Sequence, residues 1–454
     1  MKKTFSIGGV HPADSKISAG CKIEILPVPQ TVYISMAQHL GAPATPVVAV
    51  GDKVKAGQGI GEPAGFISAF VHSSVSGTVK SIGPRPDLAG NKVTHIEIAV
   101  EGDEWADGID LSDTLVTEIP ADNKFIIDRI KSNGVVGLGG ATFPTHVKLT
   151  PPEGKKAEIL ILNGAECEPY LTSDYRIMLE KADQIIVGAA IMKQVLGGPR
   201  TVVGIEDNKP EAIESMKAAI ARLQAKSAAY NGIEVVVLKK KYPQGGEKQL
   251  IDAVARRQVK SMGLPIDVGA VVQNVATSLA VYDAVMKNRP LTTNTLTVTG
   301  DCLPADRQKN YLFRIGVPFS FIVEQSGGMP EDAVKVISGG PMMGKAISNL
   351  DATTVKGSSS ILYLTAEQTV RKPESNCIRC GKCVEACPMG LEPYLLNKLA
   401  RNGMMDELEQ NAIQDCIECG CCLYSCPANI PLLDVIRIAK GDVMRAIRAR
   451  SAKK

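Results

Sequence analysis

The apolar positions change period several times along the chain. Up to about residue 100 they come in short runs broken by Gly and Pro, as in 47–50 and 71–79, which predicts short strands and turns. From about residue 122 runs of strand length alternate with helical stretches. A helix starts at Phe125-Ile126-Ile127-Asp128-Arg129-Ile130 and stops before Gly134. Strands follow over 157–162, 200–205 and 232–238, with helices over 182–196 and 209–225, then about 248–257 and 273–286. This alternation argues for a parallel sheet with helical crossovers. Past Pro290 the pattern returns to strands at 295–299, 321–323 and 334–337, a small α+β domain. The segment 356–360 reads as a flexible link into a strand at 361–364. Helical spacing resumes over 392–414 and again over 431–454.

A length of 454 residues implies several domains. The divisions fall at 1–100, 115–290, 291–350, 365–440 and a basic tail at 441–454, with an acidic, turn-rich linker over 101–120. Hydrophobic content of 44% is ample for buried cores, and the 4% aromatic content marks an Ala/Val/Ile/Gly-rich chain of α/β type. A net charge of +3 and no basic patch with interleaved aromatics exclude nucleic acid as a partner. Lys2 and Lys3 are followed by no apolar run, so no signal peptide is expected. The longest uncharged stretch, 268–282, is short and contains Gln273, Asn274, Thr277 and Ser278, so no segment is expected to span a bilayer. The tail carries Arg437, Lys440, Arg445, Arg448, Arg450, Lys453 and Lys454 against Asp434 and Asp442. It reads either as a solvated helix end or as a contact for an acidic partner or anionic membrane surface.

The cysteines change the picture most. Cys377-x-x-Cys380-x-x-Cys383-x-x-x-Cys387-Pro388 is repeated as Cys416-x-x-Cys419-x-x-Cys422-x-x-x-Cys426-Pro427. Two such runs, each closed by Pro, are the ligand pattern of a module with two [4Fe-4S] clusters, in which the fourth Cys of each run serves the other cluster. Cys377, Cys380, Cys383 and Cys426 are therefore assigned to one cluster, and Cys387, Cys416, Cys419 and Cys422 to the other. Structural zinc also uses C-x-x-C pairs, but it has no use for a third and fourth Cys and a Pro twice over. Cys421 reads as a packing residue. Cys21, Cys167 and Cys302 are isolated and suggest no disulfide framework.

Residues 133–148, N-G-V-V-G-L-G-G-A-T-F-P-T-H-V-K, form a Gly-rich loop leading into a helix. Glycines let backbone N–H groups approach a phosphate, and the Lys adds charge. A packed turn would use the same residues. The spacing departs from the Rossmann fingerprint, and no Gly-Lys-Ser/Thr closes a Walker A loop.

Four motifs together carry a resemblance. Gly137-x-Gly139-Gly140-Ala141-x-Phe143-Pro144-Thr145-x-x-Lys148 resembles the G-x-G-G-A-G-F-P-T-x-x-K loop of the NADH- and FMN-binding subunit of respiratory complex I. Asn163-Gly164-Ala165-Glu166-Cys167-Glu168-Pro169 resembles its N-A-D-E-G-E-P, 242–247 its Y-I-C-G-E-E, and 273–277 its N-N-V-E-T. The chain departs from that family at Ala165, Gly246 and Gln273, where the family has a flavin-contacting Asp, a first paired Glu and a first Asn. Residues 47–58 and 71–79 resemble the barrel-sandwich fold of lipoyl and biotinyl carriers. Those carriers display a Lys at a hairpin tip, and 68–77 has none, which implies a scaffold or docking role. This start, the altered flavin loop and the paired clusters resemble the RnfC family of the Rnf ion-translocating ferredoxin:NAD oxidoreductase over about residues 5–440.

That resemblance implies a barrel-sandwich hybrid, a Rossmann-like α/β domain, a small ubiquitin-like (SLBB) domain and a helical ferredoxin-like domain. It implies an FMN site lined by Gly137, Gly139, Gly140, Lys148, Asn163, Glu247, Asn274 and Thr277. Glu166 and Glu168 become candidates for NAD(H) contacts, and Phe143 for stacking on a base. The implied cofactors are FMN, NAD(H) and two [4Fe-4S] clusters. The implied partners are the other Rnf proteins, with ferredoxin reached through one of them, at the cytoplasmic face of the bacterial membrane. Two rivals remain, a flavin-less cluster-bearing connector and a soluble flavin–iron–sulfur dehydrogenase component.

Overall fold

The computed structural model describes residues 2–451, so Lys453 and Lys454 of the basic tail lie outside the described residues. Strands Thr31–Ser35, Lys92–Val100, Gly77–Pro86 and Lys53–Val54 form an antiparallel sheet, closed over by a small sheet of Thr45–Pro46, Gly59–Glu62 and Val71–His72. Val32, Ile34, Ile60, Val71, Ile96 and Ile98 fill this barrel-sandwich. The same core continues into Leu296, Val298, Phe313, Phe319 and Tyr363 of the SLBB domain, so the two domains share one apolar interior.

The flavin-type domain is a parallel sheet in the order Ile233–Leu238, Arg200–Glu206, Ile159–Gly164, Ala270–Asn274. Its strands are apolar on both faces, as a sheet covered on both sides requires. Leu160 and Leu162 enter the core beneath helices Ala182–Val195 and Val275–Met286, while Ile159 and Ile161 enter the opposite core with Phe5, Leu250 and Ile251. The chain winds outward from Ile159–Gly164 through two strands, then returns on its other side with Ala270–Asn274. That reversal is the topological switch point at which open α/β sheets bind ligands.

Three expectations need correction. The helix expected from 273 begins at Val275, because 270–274 is a strand and Asn274 is the cap, its Oδ1 accepting from Ala276 N at 2.7 Å. The strand expected at 321–323 is helix Phe319–Gln325. Its buried Phe319, Ile322 and Val323 follow i, i+3, i+4, a helical period that a short apolar run conceals. The segment read as a flexible link is a packed junction. Lys356 is 1% exposed, and its Nζ donates to the carbonyls of Phe70 and Gly134, both at 2.7 Å.

The small domain recruits strands from elsewhere. Its six-stranded sheet runs Ile23–Ile25, Lys309–Arg314, Thr293–Thr299, Ser360–Thr365, Ala333–Ser338, Lys345–Ala346. Ahead of Ile23 the N-terminal arm leaves the barrel altogether. Lys3 bridges to Leu238 and Val10 to Tyr242, and Gly9 N donates to Ala386 O at 2.9 Å. The cluster module is helical, with Pro393–Arg401, Met405–Gln410 and the terminal Leu432–Ser451 around a small core of Leu396, Leu408, Ile413 and Ile436. No helix among the described residues is long and apolar enough to cross a membrane.

Candidate flavin and cluster sites

The Gly-rich loop lies over the switch point. Asn163 and Asn274 are register partners at the C-terminal ends of the two central strands. Leu138 N donates to Thr277 Oγ1 at 2.9 Å, and Gly137 N to Phe143 O at 2.9 Å. A side chain on Gly139 would fall 2.7 Å from Asn274 Nδ2, so the loop can pass this close only as glycine. The structure thus brings Gly137, Gly139, Gly140, Asn163, Asn274 and Thr277 together.

These residues fit a flavin nucleotide. The N–H groups of Gly139, Gly140 and Ala141 have no hydrogen-bond partner among the described residues and stand on an exposed turn beside the N-terminus of helix Val275–Met286. Such converging donors with a helix dipole behind them suit an anionic phosphate. Gln273 Nε2, buried at the strand end, also lacks a partner. Asn163 is partly committed, its Nδ2 to Gly245 O and its Oδ1 to Ala165 N. Asn274 Nδ2 donates to Asp174 Oδ2 at 2.7 Å. Each amide keeps one further hydrogen to offer. Lys148 is paired with Glu247 at 2.6 Å, at the start of helix Glu247–Ala255, so these two reach the site as an ion pair.

The two acids expected to touch NAD(H) have other work. Glu166 turns inward, its carboxylate accepting from Asp174 N at 2.7 Å and Tyr175 N at 3.2 Å at the start of helix Ser173–Glu180. Burial raises its pKa against the pull of Lys16 and Lys209. Glu168 accepts from Met342 N and Met343 N at 3.1 and 2.8 Å, tying the flavin domain to the SLBB sheet. Burial pushes it up to about 7. Ala165, which replaces the family's Asp, is fully buried, and its carbonyl accepts from Lys209 Nζ at 2.7 Å.

Sequence reasoning missed Asp174, Lys209 and Lys16. Asp174 touches Asn274, and burial, then the Glu166 charge, lift its pKa to about 7. Lys209 is buried beside Glu206 at 3.5 Å. Lys16 donates to the carbonyls of Glu166, Glu168 and Leu171, closing the N-terminal arm over the strand ends. Asp174 lies just beyond the quoted motif at 163–169. Lys16 gives no local signal, because the nearest of its partners in sequence lies 150 residues away.

The two cysteine runs fold alike. Arg379 and Glu418, then Gly381 and Gly420, take the left-handed conformation at φ 56°, 58°, 75° and 78°. Each pair of reversals turns the chain so that three thiols face inward before a short helix, Lys382–Glu385 or Cys421–Tyr424. Cys387, Cys416, Cys419 and Cys422 line one apolar cavity. Burial raises Cys416 to about 11, with the neighbouring Cys419 and Cys387 thiols adding to it. Cys383 is raised by burial and by nearby Cys426, whereas Cys377 and Cys380 are exposed on an irregular segment. No three Cys, His, Asp or Glu groups among the described residues close around a single metal ion. A four-iron cubane is larger, and a set of eight thiols in two groups is the donor chemistry it needs.

One side chain joins the two sites. Tyr242 donates its hydroxyl to Cys419 O at 3.0 Å and stands 3.5 Å from Glu168 Oε1. Cys421, fully buried, packs against Tyr242 in the same small cluster. Gln249 Nε2 donates to Pro388 O at 3.1 Å, so the second cysteine set is docked on the flavin domain. Arg437 and Lys440 of the basic helix are spent here as well, both on Glu418.

Comparison with known proteins agrees with each layer of this description. Four family models match, namely the RnfC barrel sandwich hybrid domain over 3–104, the Nuo51 FMN-binding domain over 130–283, the SLBB domain over 297–346 and a 4Fe-4S dicluster domain over 369–429. The curated relatives are each the third-lettered, or C, component of an Rnf-type complex. The chain is 48% identical, over 90% of its length and 87% of the relative's, to the C component of the proton-translocating ferredoxin:NAD(+) oxidoreductase complex of Clostridium ljungdahlii. It is 42% identical to the Na(+)-translocating counterpart of Acetobacterium woodii, over 96% of each chain. Against the corresponding component of the ion-translocating oxidoreductase complex of Rhodobacter capsulatus it is 39% identical, over 97% of this chain and 83% of the relative. Among solved structures, an NAD+-reducing [NiFe]-hydrogenase chain in its H2-reduced state aligns with a TM-score of 0.50 at 17% identity, over 74% of this chain and 64% of that one, a likeness of fold.

Proposed function

The chain belongs to the RnfC family of ion-translocating ferredoxin:NAD(+) oxidoreductase complexes, and from that premise we propose that it is the complex's peripheral electron-transfer component. In this reading it exchanges electrons between NAD(H) and a partner protein at the cytoplasmic face of the membrane. Ferredoxin is reached through that partner, and the movement of Na+ or H+ belongs to the membrane-embedded components. The observation that carries the reading is Tyr242, which links the second cysteine set to the edge of the flavin-type domain.

When bound, FMN supplies the exchange between the paired electrons of a hydride and the single electrons of iron–sulfur clusters. The chain's residues supply the rest. Gly139, Gly140 and Ala141 would receive the phosphate on free backbone N–H groups. Asn163, Asn274 and Thr277 would offer their remaining hydrogens to ribityl oxygens. The Lys148–Glu247 pair would stand at the rim. Cys387, Cys416, Cys419 and Cys422 would hold the inner cluster in an apolar cavity. Cys377, Cys380, Cys383 and Cys426 would hold the outer one, where the exposed thiols of Cys377 and Cys380 face a partner.

The test is anaerobic titration of the full chain, loaded with FMN, with NADH. Bleaching of the flavin absorbance is expected. Cys383→Ala should keep the flavin and its bleaching while losing electron transfer to the rest of the complex. An unbleached flavin, or loss of flavin together with the outer cluster, would contradict the reading.

A further inference from the structure

The barrel-sandwich hairpin does more than support the fold. Its loop, 63–70, carries Phe66, 83% exposed, the most exposed of the large apolar residues among those described. Leu40 and Ile67, at 51% and 37%, extend the patch. An open phenyl ring on a structured surface is costly to keep without a partner.

This patch borders the Gly-rich loop. Ala42 N donates to Ile67 O at 3.1 Å, and Ser68 Oγ to Ala42 O at 2.9 Å, so the strip 39–42 is fastened to the hairpin. Leu40 N in turn donates to Thr142 O at 3.3 Å, at the end of the Gly-rich turn. At its root the hairpin is fastened again, because Lys356 Nζ holds the carbonyl of Phe70 and that of Gly134, where the loop begins. The hairpin and the nucleotide loop are therefore anchored to each other at both ends. Phe143, the ring on the loop itself, is half-buried, and its carbonyl is bonded to Gly137 N.

We propose that the hairpin is one wall of the dinucleotide site, with Phe66 stacking on the adenine of NAD(H) and Leu40 and Ile67 flanking it. The polar loop suits phosphates but offers no platform for a base. An aromatic face stacks on a base whatever its hydrogen-bonding edge. The proposal rests on the reading that NAD(H) binds at the Gly-rich loop.

The test uses the full chain, FMN-loaded with its clusters intact, under anaerobic conditions with ferricyanide as acceptor. Phe66→Ala should raise KM for NADH about tenfold, the order expected for losing one stacked base, with kcat little changed. KM for reduced nicotinamide mononucleotide, which has no adenine, should not move, and Phe66→Tyr should restore the NADH value. Independently of turnover, ADP-ribose should slow chymotryptic cleavage after Phe66 in the unsubstituted chain. An unchanged KM for NADH in Phe66→Ala, or cleavage at the same rate with and without ADP-ribose, overturns the proposal. Loss of association with the rest of the complex at unchanged KM also overturns it and makes the patch a protein contact. If NADH fails to reduce the unsubstituted chain, the reading of the site has failed, and absent protection by ADP-ribose then overturns the hairpin wall too.

Discussion

The two cysteine sets share one spacing and one backbone fold, yet they live in different surroundings. Cys387 and Cys419 are buried against Tyr242, Leu396 and Ile436, while Cys377 and Cys380 stand in solvent on an irregular segment. The motif specifies what the thiols can bind. The interdomain packing decides which set is shielded and which is offered outward, and that packing comes from residues far away in sequence, Gly8, Gly9 and Gln249 among them. A side chain on Gly8 would run into the Cys387 carbonyl, so the arm closes on the inner set only as glycine.

The largest expected effect follows from this contrast. An iron chelator under mild oxidant should release iron in two phases, about four irons each from the two four-iron clusters, with the outer set lost first and at least about tenfold faster. A single phase would break the comparison. The contrast between buried and open groups extends to Asp174. Its carboxyl is lifted to about 7 by burial first and by Glu166 next. Because the folded pKa lies above the unfolded one, folding binds a proton between about pH 4 and 7, and stability falls as pH rises through that window. Asp174→Asn should therefore stabilise the chain at pH 8 by on the order of 2 kcal/mol and leave it unchanged below about pH 4, read by urea unfolding. Tyr242→Phe removes the hydroxyl that meets Cys419 O and should cost about 1 kcal/mol in the same assay, with inner-cluster iron released faster and outer iron unaffected. Arg371→Ala breaks an exposed pair with Asp434 beside the outer set and should change stability by less than about 0.5 kcal/mol.

Much of this is legible in the chain. The strand–helix alternation from 157 to 286 is a strong local signal, and Asn163 and Asn274 can be placed at strand ends because each closes an apolar run. The division of the cysteines needs only spacing, and Cys387, Cys416, Cys419 and Cys422 do line one cavity. Glu166 and Glu168 are harder, because an acid in a motif looks alike whether it faces a ligand or caps a helix, and here burial turns both inward. Lys356 passes for part of a linker because its Gly and Ser neighbours mimic one, whereas its ammonium is held by carbonyls 286 and 222 residues away. The N-terminal arm gives no warning, since its pairings with Leu238 and Tyr242 are purely tertiary.

The most direct test is the flavin and iron content of one anaerobically purified sample of the full chain. One FMN with about eight irons, the content of two four-iron clusters, is the predicted result. The same iron without flavin, and no recovery of flavin when FMN is added, would contradict it and leave a cluster-bearing connector whose NADH chemistry lies in another protein of the complex.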